Sequence, residues 1–231
     1  MEKISLKREY IKITDDAGHI ISCGGNQEWF KDVSTLDIKG QGCGIISSLD
    51  AVLYLQNSPT LTLVQYKNYL DVFLGINVFT KYYLKKLFFT KSAIGIIPKQ
   101  ICRYIKKSSH SDIRAKWNGI HGHNGMLEKM EIMIKNDYPV IWSLYSKNRK
   151  ITLYSFDEKS GDFIPATTTN NHYVNAIGII HNPSTNHQTM IKISSWGKIY
   201  YVDYNEYLDY VGKSFISKYC SNIILITKKL Q

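Results

Sequence analysis

The hydrophobic pattern of the chain changes its period near Pro139, and this change limits the folds that the chain can adopt. Before Pro139, apolar residues such as Ile45, Leu49 and Val52 recur at spacings of three and four, which is typical of helices. After Pro139, short runs rich in β-branched and aromatic residues are separated by turn-forming residues, which is typical of strands. Helices followed by strands indicate an α+β fold, and two such halves packed together leave a cleft between them.

The same pattern predicts where the elements lie. Helices are predicted over about 45–56, 62–70, 78–89, 98–107 and 125–135, and strands over about 10–13, 139–145, 151–156, 173–180, 189–194, 199–202 and 222–227. We expect a single domain over residues 1–231. In it, a helical lobe at about 40–136 packs on an antiparallel β lobe at about 137–231, with the cleft between the two.

The composition excludes several classes of protein. With 231 residues, of which 44% are hydrophobic and 13% aromatic, the chain can bury a sizeable core and is not of disordered composition. No apolar run approaches the roughly 18 residues of a bilayer-spanning helix, and the first residues lack the apolar segment of a secretory signal. We therefore expect a cytoplasmic protein without a membrane span.

The net charge of +10 raises the question of a nucleic-acid partner. Basic residues concentrate between Lys81 and Lys107, where aromatic residues such as Tyr82 and Phe88 are interleaved with them. Such a run is most often the solvated face of a helix pair, and we favour this interpretation. Binding of a nucleic acid through the basic stretch 81–107 stays open as a less favoured alternative.

Cys43 is the cysteine whose surroundings best fit a nucleophile. It lies in the tight turn 40–44 (Gly-Gln-Gly-Cys-Gly), which leads into the first predicted helix. Unpaired N–H groups at a helix start favour a thiolate, and one of them can donate to an oxyanion. Cys23, Cys102 and Cys220 lack this context, and we expect them to be reduced thiols that pack in the core. No CxxC pair occurs, which argues against a zinc ribbon or a thioredoxin-type site.

His172 is the best candidate among seven histidines for the base that such a cysteine needs. It opens the predicted strand 173–180 at the end of a polar loop, where its side chain can face a cleft. At the end of the next strand, Ser194 can accept from or bridge to the imidazole, and Trp196 can shield that contact from water.

Three segments occur in a characteristic order. They are the Gly-Cys-Gly turn into a helix, the strand His-Tyr-Val-Asn-Ala-Ile-Gly that begins at His172, and the Ser-Trp-Gly hairpin at 195–197. Together they resemble papain-like cysteine peptidases, most closely bacterial peptidases related to those that cleave double-glycine leaders. Cys43 and His172 are 129 positions apart, close to the roughly 130–150 typical of papain relatives. The resemblance extends from about Gly24 to Val202.

The resemblance implies a papain-like α+β fold and a cysteine peptidase, that is, a thiol hydrolase that acts on a peptide or protein substrate without a cofactor or metal. Cys43 would attack as a thiolate and His172 would act as the base, through an acyl-enzyme intermediate. A double-glycine-like substrate would further imply a narrow cleft near Cys43.

The resemblance also implies two supporting residues. Ser194 occupies the position where the family has the Asn or Asp that orients the histidine, and Asp203 or a water molecule is the alternative. A glutamine upstream of the cysteine contributes to the oxyanion hole. We favour Gln27 over Gln41, because the side chain of Gln41 would have to fold back sharply to reach Cys43.

Other functions remain compatible with these residues. A deamidase, transglutaminase or acyltransferase would use the same pair, and a serine at position 194 also allows a catalytically weak papain-like binding protein. His121 and His123, with His110 nearby, form a further candidate for a metal site. No carboxylate completes a recognised ligand spacing, so we expect them to be loop residues.

Overall fold

A seven-stranded antiparallel sheet forms the centre of the protein, whose computed structural model describes residues 2–30, 37–77, 95–109, 112–182 and 188–228. The strands are β1 (Glu2–Ser5), β2 (Lys12–Thr14), β3 (Ile20–Cys23), β4 (Thr60–Thr62), β5 (Ile113–Trp117), β6 (Val140–Leu144), β7 (Ile151–Asp157), β8 (Asp162–Thr169), β9 (His172–His181), β10 (Thr189–Ser195), β11 (Lys198–Asp203) and β12 (Ile224–Lys228). The central sheet contains β1 and β6 to β11, and two smaller sheets join β2 with β3 and β4, and β5 with β12.

Strand β9 organises the central sheet. It pairs with β10 along one edge, and with β6 and β1 over its first and second halves. From β10 the sheet continues through β11 and β7 to β8 at the far edge. The two faces of β9 are almost entirely buried, which explains why its sequence is a continuous apolar run rather than an alternating one.

Helices of the described residues pack on this sheet and on one another. They are α1 (Ile38–Gln41), α2 (Cys43–Leu55), α3 (Leu63–Ile76), α4 (Pro98–Ser108), α5 (Met126–Lys135), α6 (Tyr204–Val211) and α7 (Phe215–Cys220). Local signals set several of the starts. Thr62 and Gln65 form a capping box at α3, and Pro98 occupies the first turn of α4. The predictions of α2 to α5 are confirmed, whereas the predicted helix 78–89 lies outside the described residues.

The mixed helical and antiparallel character of the α+β prediction is confirmed, and each of the two predicted halves contains both kinds of element. The helical half also contributes β4 and β5, and the β half carries α6 and α7. Strand β8 escaped prediction because its side chains are almost all exposed, so its sequence has no apolar alternation. Gly40 and Gln41 belong to α1 instead of a turn, because the Asp37 carboxylate caps that helix at the Gly40 N–H.

Helix α2 lies in the middle of the fold and is buried from Gly44 to Tyr54. It packs on β9 from one side and on α3 and α4 from others. Helix α2 begins at Cys43 and β9 begins at His172. Packing of this helix on this strand therefore brings together two candidate residues that are far apart in the sequence.

Helix α4 contains the described part of the basic stretch 81–107. It buries its apolar side and exposes its cations, which are Lys99, Arg103, Lys106 and Lys107. This arrangement agrees with a solvated charged face. Residues 81–94 of the stretch lie outside the described ranges. Over the ranges described, no helix has both the length and the apolar character needed to cross a bilayer.

Candidate active site

A small pocket at the start of α2 gathers the residues that the sequence singled out. It is lined by Gly25, Gln27, Cys43, Ile46, Ser47, Asp50, His172, Tyr173, Ser194, Ser195 and Trp196. The pocket therefore brings the predicted nucleophile, base, orienting serine and glutamine to one place. Its volume of about 10 Å³ is room for a single water molecule.

Close packing around the first turn of α2 explains the glycines on either side of Cys43. A Cβ atom on Gly42 would lie 2.4 Å from the carbonyl oxygen of Ile38. One on Gly44 would lie 2.7 Å from the side chain of Ile96 and 3.0 Å from the ring of Tyr173. Glycine is thus required here by space, and its absence of a side chain lets β9 and α1 approach the partly exposed Cys43.

Burial raises the pKa of the Cys43 thiol, against the expectation that the helix start would lower it. The backbone amides of Tyr173, Gly44 and Cys43 itself act in the opposite direction, as N–H donors to a thiolate should. Loss of water around the sulfur outweighs these three donors.

His172 is 6% exposed at the start of β9, and burial lowers the pKa of its imidazole to about 3. Its Nε2 atom lies 2.7 Å from the hydroxyl oxygen of Ser195. The ring of Trp196 stacks on the imidazole, with centroids 4.4 Å apart and an interplanar angle of 20°. The imidazole is therefore neutral over the physiological range, and its orientation is held from two directions.

The structure corrects the identity of the serine that contacts His172. Ser195 makes this contact, whereas the hydroxyl of Ser194 donates to the carbonyl oxygen of Cys23 at 2.9 Å. Successive side chains of a strand point to opposite faces, so only one of two adjacent serines can reach the histidine. Ser194, which was predicted to orient the histidine, is therefore the wrong member of the pair, and strand alternation alone does not show which face each serine occupies. The alternative orienting residue, Asp203, instead caps α6 by accepting from the Asn205 and Glu206 amides.

Trp196 and Gly197 form the two-residue turn between β10 and β11. Both have positive φ, 50° and 73°, which is the signature of a type I′ hairpin turn. A left-handed conformation costs a non-glycine residue roughly 1–2 kcal/mol. The turn directs the indole over His172, so the residue with the strained backbone is also the one that packs on the candidate base.

Gln27 begins a 3₁₀ turn, Gln27–Phe30, at the edge of the pocket. Its Nε2 atom donates to the carbonyl oxygen of Lys39 at 2.5 Å. This bond fixes the amide and leaves its second hydrogen for another acceptor. Gln41, the rejected alternative, ends α1 and is not among the lining residues of the pocket.

The arrangement can support general-base catalysis by a neutral pair. A serine hydroxyl can accept from one nitrogen of a neutral histidine, and this tautomer leaves the other nitrogen unprotonated. If Nε2–H donates to Ser195, Nδ1 of His172 is the basic atom. The amide N–H of Cys43 and the side chain of Gln27 are the available donors for a developing oxyanion.

Of the histidines considered for a metal site, His123 has other contacts. Nε2 of His123 lies 2.8 Å from the carbonyl oxygen of Ser221 and 3.2 Å from the hydroxyl of Tyr207. His110 lies outside the described residues. Within the part of the chain that the structure describes, no group of three or more His, Cys, Asp or Glu side chains is placed to hold a metal ion.

Comparison with known proteins gives no family for this chain. No protein-family model matches it, and neither does any curated protein. The functional assignment therefore depends on the residues of the pocket and their chemistry.

Proposed function

We propose that the protein is a papain-like cysteine peptidase that hydrolyses peptide bonds through Cys43 and His172. The observation that carries the proposal is their shared pocket: a cysteine at the start of a buried helix and a histidine at the start of the adjacent strand line one small cavity. Thiol nucleophile, held base and oxyanion donors are the three components that acyl transfer requires.

In the proposed reaction, the Cys43 sulfur attacks the carbonyl carbon while its proton passes to Nδ1 of His172. The negative charge that develops on the carbonyl oxygen accepts from the Cys43 amide and the Gln27 side chain. The carbon–nitrogen bond then breaks, His172 gives its proton to the departing amine, and an acyl-enzyme remains. Water, deprotonated by the same imidazole, releases the acid product and restores the thiol.

The pair begins this reaction uncharged. Burial raises the pKa of Cys43 and lowers that of His172, so both directions favour thiol and imidazole over thiolate and imidazolium. The proton therefore moves during attack, as in serine hydrolases.

The decisive test is detection of an acyl-enzyme. The full-length protein is incubated with a mixed peptide library, and intact mass spectrometry and peptide mapping follow acyl adducts on Cys43 and new peptide termini. We expect Cys43→Ser and His172→Ala to lose adduct and cleavage, while Cys220→Ser keeps both, because Cys220 lies outside the pocket.

The same reactions separate the related activities. Release of ammonia without new termini indicates a deamidase, and incorporation of an added primary amine indicates a transglutaminase or acyltransferase. A folded wild-type protein that forms no adduct on Cys43 with any library contradicts the whole proposal. The protein would then be a binding protein with a papain-like arrangement, in which Cys43 and His172 stay a neutral pair.

A further inference from the structure

Asp50 is a buried carboxylate that lines the pocket but takes no part in the proposed reaction. It lies on α2, seven residues after Cys43, which places it two helical turns further along the same side. The residue is only 2% exposed. A buried acidic side chain needs partners that compensate for its lost hydration, and these partners indicate what it does.

One partner of Asp50 belongs to the segment that leads to Gln27, and the other lies on α3. The N–H of Gly25 donates to both carboxylate oxygens, at 3.1 and 3.0 Å. The Tyr66 hydroxyl of α3 donates to Oδ1 at 2.7 Å. The carboxylate therefore joins the nucleophile helix to the backbone of the Gly24–Gly25 turn.

This turn is packed so closely that only glycine fits. Gly24 has a φ of +80°, and a Cβ there would lie 2.4 Å from the hydroxyl oxygen of Ser194 and 2.7 Å from Oδ2 of Asp50. A Cβ on Gly25 would lie 1.9 Å from the hydroxyl of Tyr66. Ser194 holds the same turn by donating to the Cys23 carbonyl, so the turn is fixed from α2 and from β10 together.

Gln27 follows this turn after a single intervening residue, Asn26. We propose that Asp50 is a positioning residue, which holds the Gly24–Gly25 turn so that Gln27 and the Cys43 amide act on the same oxyanion. The inference depends on the proposed function, because it assigns a role within that reaction. Asp50 touches no reacting atom and acts through the backbone that connects it to Gln27.

The ionisation of Asp50 gives this role its own signature. Burial raises the pKa of Asp50 to about 6, although the donors Tyr66 and Gly25 act against the rise. The groups that face it are Tyr66 from α3, Tyr10 from the N-terminal segment and Cys23 from β3, and burial raises the pKa of each. Among these groups, Asp50 is thus the one that changes charge near pH 6. Its protonation weakens the hydrogen bond that its carboxylate accepts from the Gly25 N–H.

The test compares two reactions of Cys43 that differ in one requirement. Iodoacetamide alkylates the sulfur without forming an oxyanion. With p-nitrophenyl acetate, the sulfur bonds to the acetyl carbon, p-nitrophenolate leaves and the thiol proton passes to His172, through an oxyanion intermediate. The ratio of the acetylation rate to the alkylation rate reports the oxyanion donors, because transfer of the Cys43 proton to His172 accompanies attack in both reactions and contributes to both rates.

We expect Asp50→Asn to lower this ratio at least about tenfold, since small displacements of a catalytic group have effects of this order or larger. Gln27→Ala should lower it similarly, and the double variant should lower it no further, because both changes remove the same donor. In the wild type, the ratio should fall as pH drops through about 6, and Asp50→Asn should abolish this dependence.

Asp137→Asn is the matched control. Asp137 also accepts from a tyrosine of α2, Tyr54, and from Nε of Arg8 at 2.7 Å, but it does not contact the turn. It has a φ of 66°, which asparagine tolerates, so the substitution should leave the ratio unchanged.

Three results overturn the inference while the proposed function stands. They are an unchanged ratio in a destabilised Asp50→Asn protein, additive losses in the double variant, or a wild-type ratio independent of pH between 5 and 8. The pH profile of the wild type decides the matter even if Asp50→Asn fails to fold. A wild-type protein whose Cys43 is not acetylated at all contradicts the proposed function as well.

Discussion

Around His172, two side chains of one hairpin determine the state of the imidazole. Ser195 contacts Nε2 at 2.7 Å, and Trp196 covers the ring face at 4.4 Å. In the tautomer that the proposed reaction uses, the hydroxyl accepts from Nε2–H, and the indole removes the water that would stabilise a second proton. Orientation and pKa are therefore controlled by separate residues, which can be tested separately.

Ser195→Ala should release the imidazole from a single tautomer. In the wild type, ¹⁵N chemical shifts of His172 should report protonation of Nε2, because the proposed reaction uses Nδ1 as the base and so places the proton on Nε2, 2.7 Å from the Ser195 hydroxyl. Loss of the hydroxyl removes an interaction of about 1–3 kcal/mol, which corresponds to a roughly 5- to 150-fold slower acetylation of Cys43. Ser194→Ala is the matched variant and should keep the Nε2–H tautomer, since Ser194 bonds to Cys23. Identical spectra for the two variants would contradict this assignment.

Trp196→Ala should raise the pKa of His172 from about 3 towards the ordinary value near 6.5. Water reaches the imidazole once the stacked indole is gone, and the charged form then becomes accessible. Trp196→Phe should keep the ring face of His172 covered and should keep most of the lowering of its pKa. An NMR titration of the His172 ring protons measures both variants. A pKa that stays near 3 in the alanine variant would show that other neighbours exclude the water.

Among the elements, the Gly24–Gly25 turn and helix α2 depend on each other. Asp50 and Tyr66 reach the turn from two helices, and the turn has no room for a side chain. The β10–β11 hairpin completes the enclosure, since the Cys23 N–H donates to the Gly197 carbonyl at 2.9 Å. The pocket wall is thus built from backbone held by buried polar groups, which limits the substitutions that the turn can accept.

Gly25→Ala should destabilise the protein by about 1–3 kcal/mol, the usual effect of forcing extra volume into a packed interior. The added methyl group would overlap the Tyr66 hydroxyl that supports Asp50. Gly75→Ala is the control, because that site on α3 has no atom within 4 Å of the new Cβ. Removal of a helical glycine should stabilise by up to about 1 kcal/mol. Urea unfolding of both variants gives the comparison, and equal stabilities would argue against close packing at the turn.

In the molecule as a whole, one hydrophobic core joins α2, the central sheet and the surrounding helices. Two buried polar side chains, His172 and Asp50, behave in opposite ways. Burial favours the neutral form of each, so it lowers the pKa of the histidine and raises that of the carboxyl group. The change of the free energy of unfolding with pH should therefore be the difference between the contributions of these two residues, which have opposite signs.

The free energy of unfolding should decrease as pH falls from about 6.5 towards 3. The unfolded chain protonates His172 near 6.5 and the folded protein only near 3, which removes about 5 kcal/mol over this range. Asp50 acts oppositely. The folded protein binds its proton near 6 and the unfolded chain near 3.8, so acidification returns about 3 kcal/mol.

Variants separate these two contributions. Asp50→Asn should make the loss of stability on acidification steeper, and His172→Gln should reverse its sign between pH 6 and 4. Urea unfolding at a series of pH values measures the slopes. A wild-type stability that rises between pH 6.5 and 4, or a His172→Gln variant that keeps the wild-type slope, would contradict the assigned protonation states.

Much of the fold could be predicted because its signals are local. The three-to-four spacing, the Thr62 cap and Pro98 specify helices within a few residues of themselves. Strand β8 could not be found in this way, since its exposed edge position leaves no pattern. The hydrogen bonds of Asp50 could not be predicted either, because its partners Gly25 and Tyr66 are 25 and 16 positions away.

The sequence by itself determined the α+β character and singled out Cys43 and His172, because each has a recognisable local context at the start of a helix or strand. Only the tertiary structure decided that Ser195, and not Ser194, contacts the histidine, and that burial raises the pKa of the cysteine. Both outcomes depend on strand faces and on the exclusion of water. These are set by residues that are distant in sequence and meet only when the chain folds.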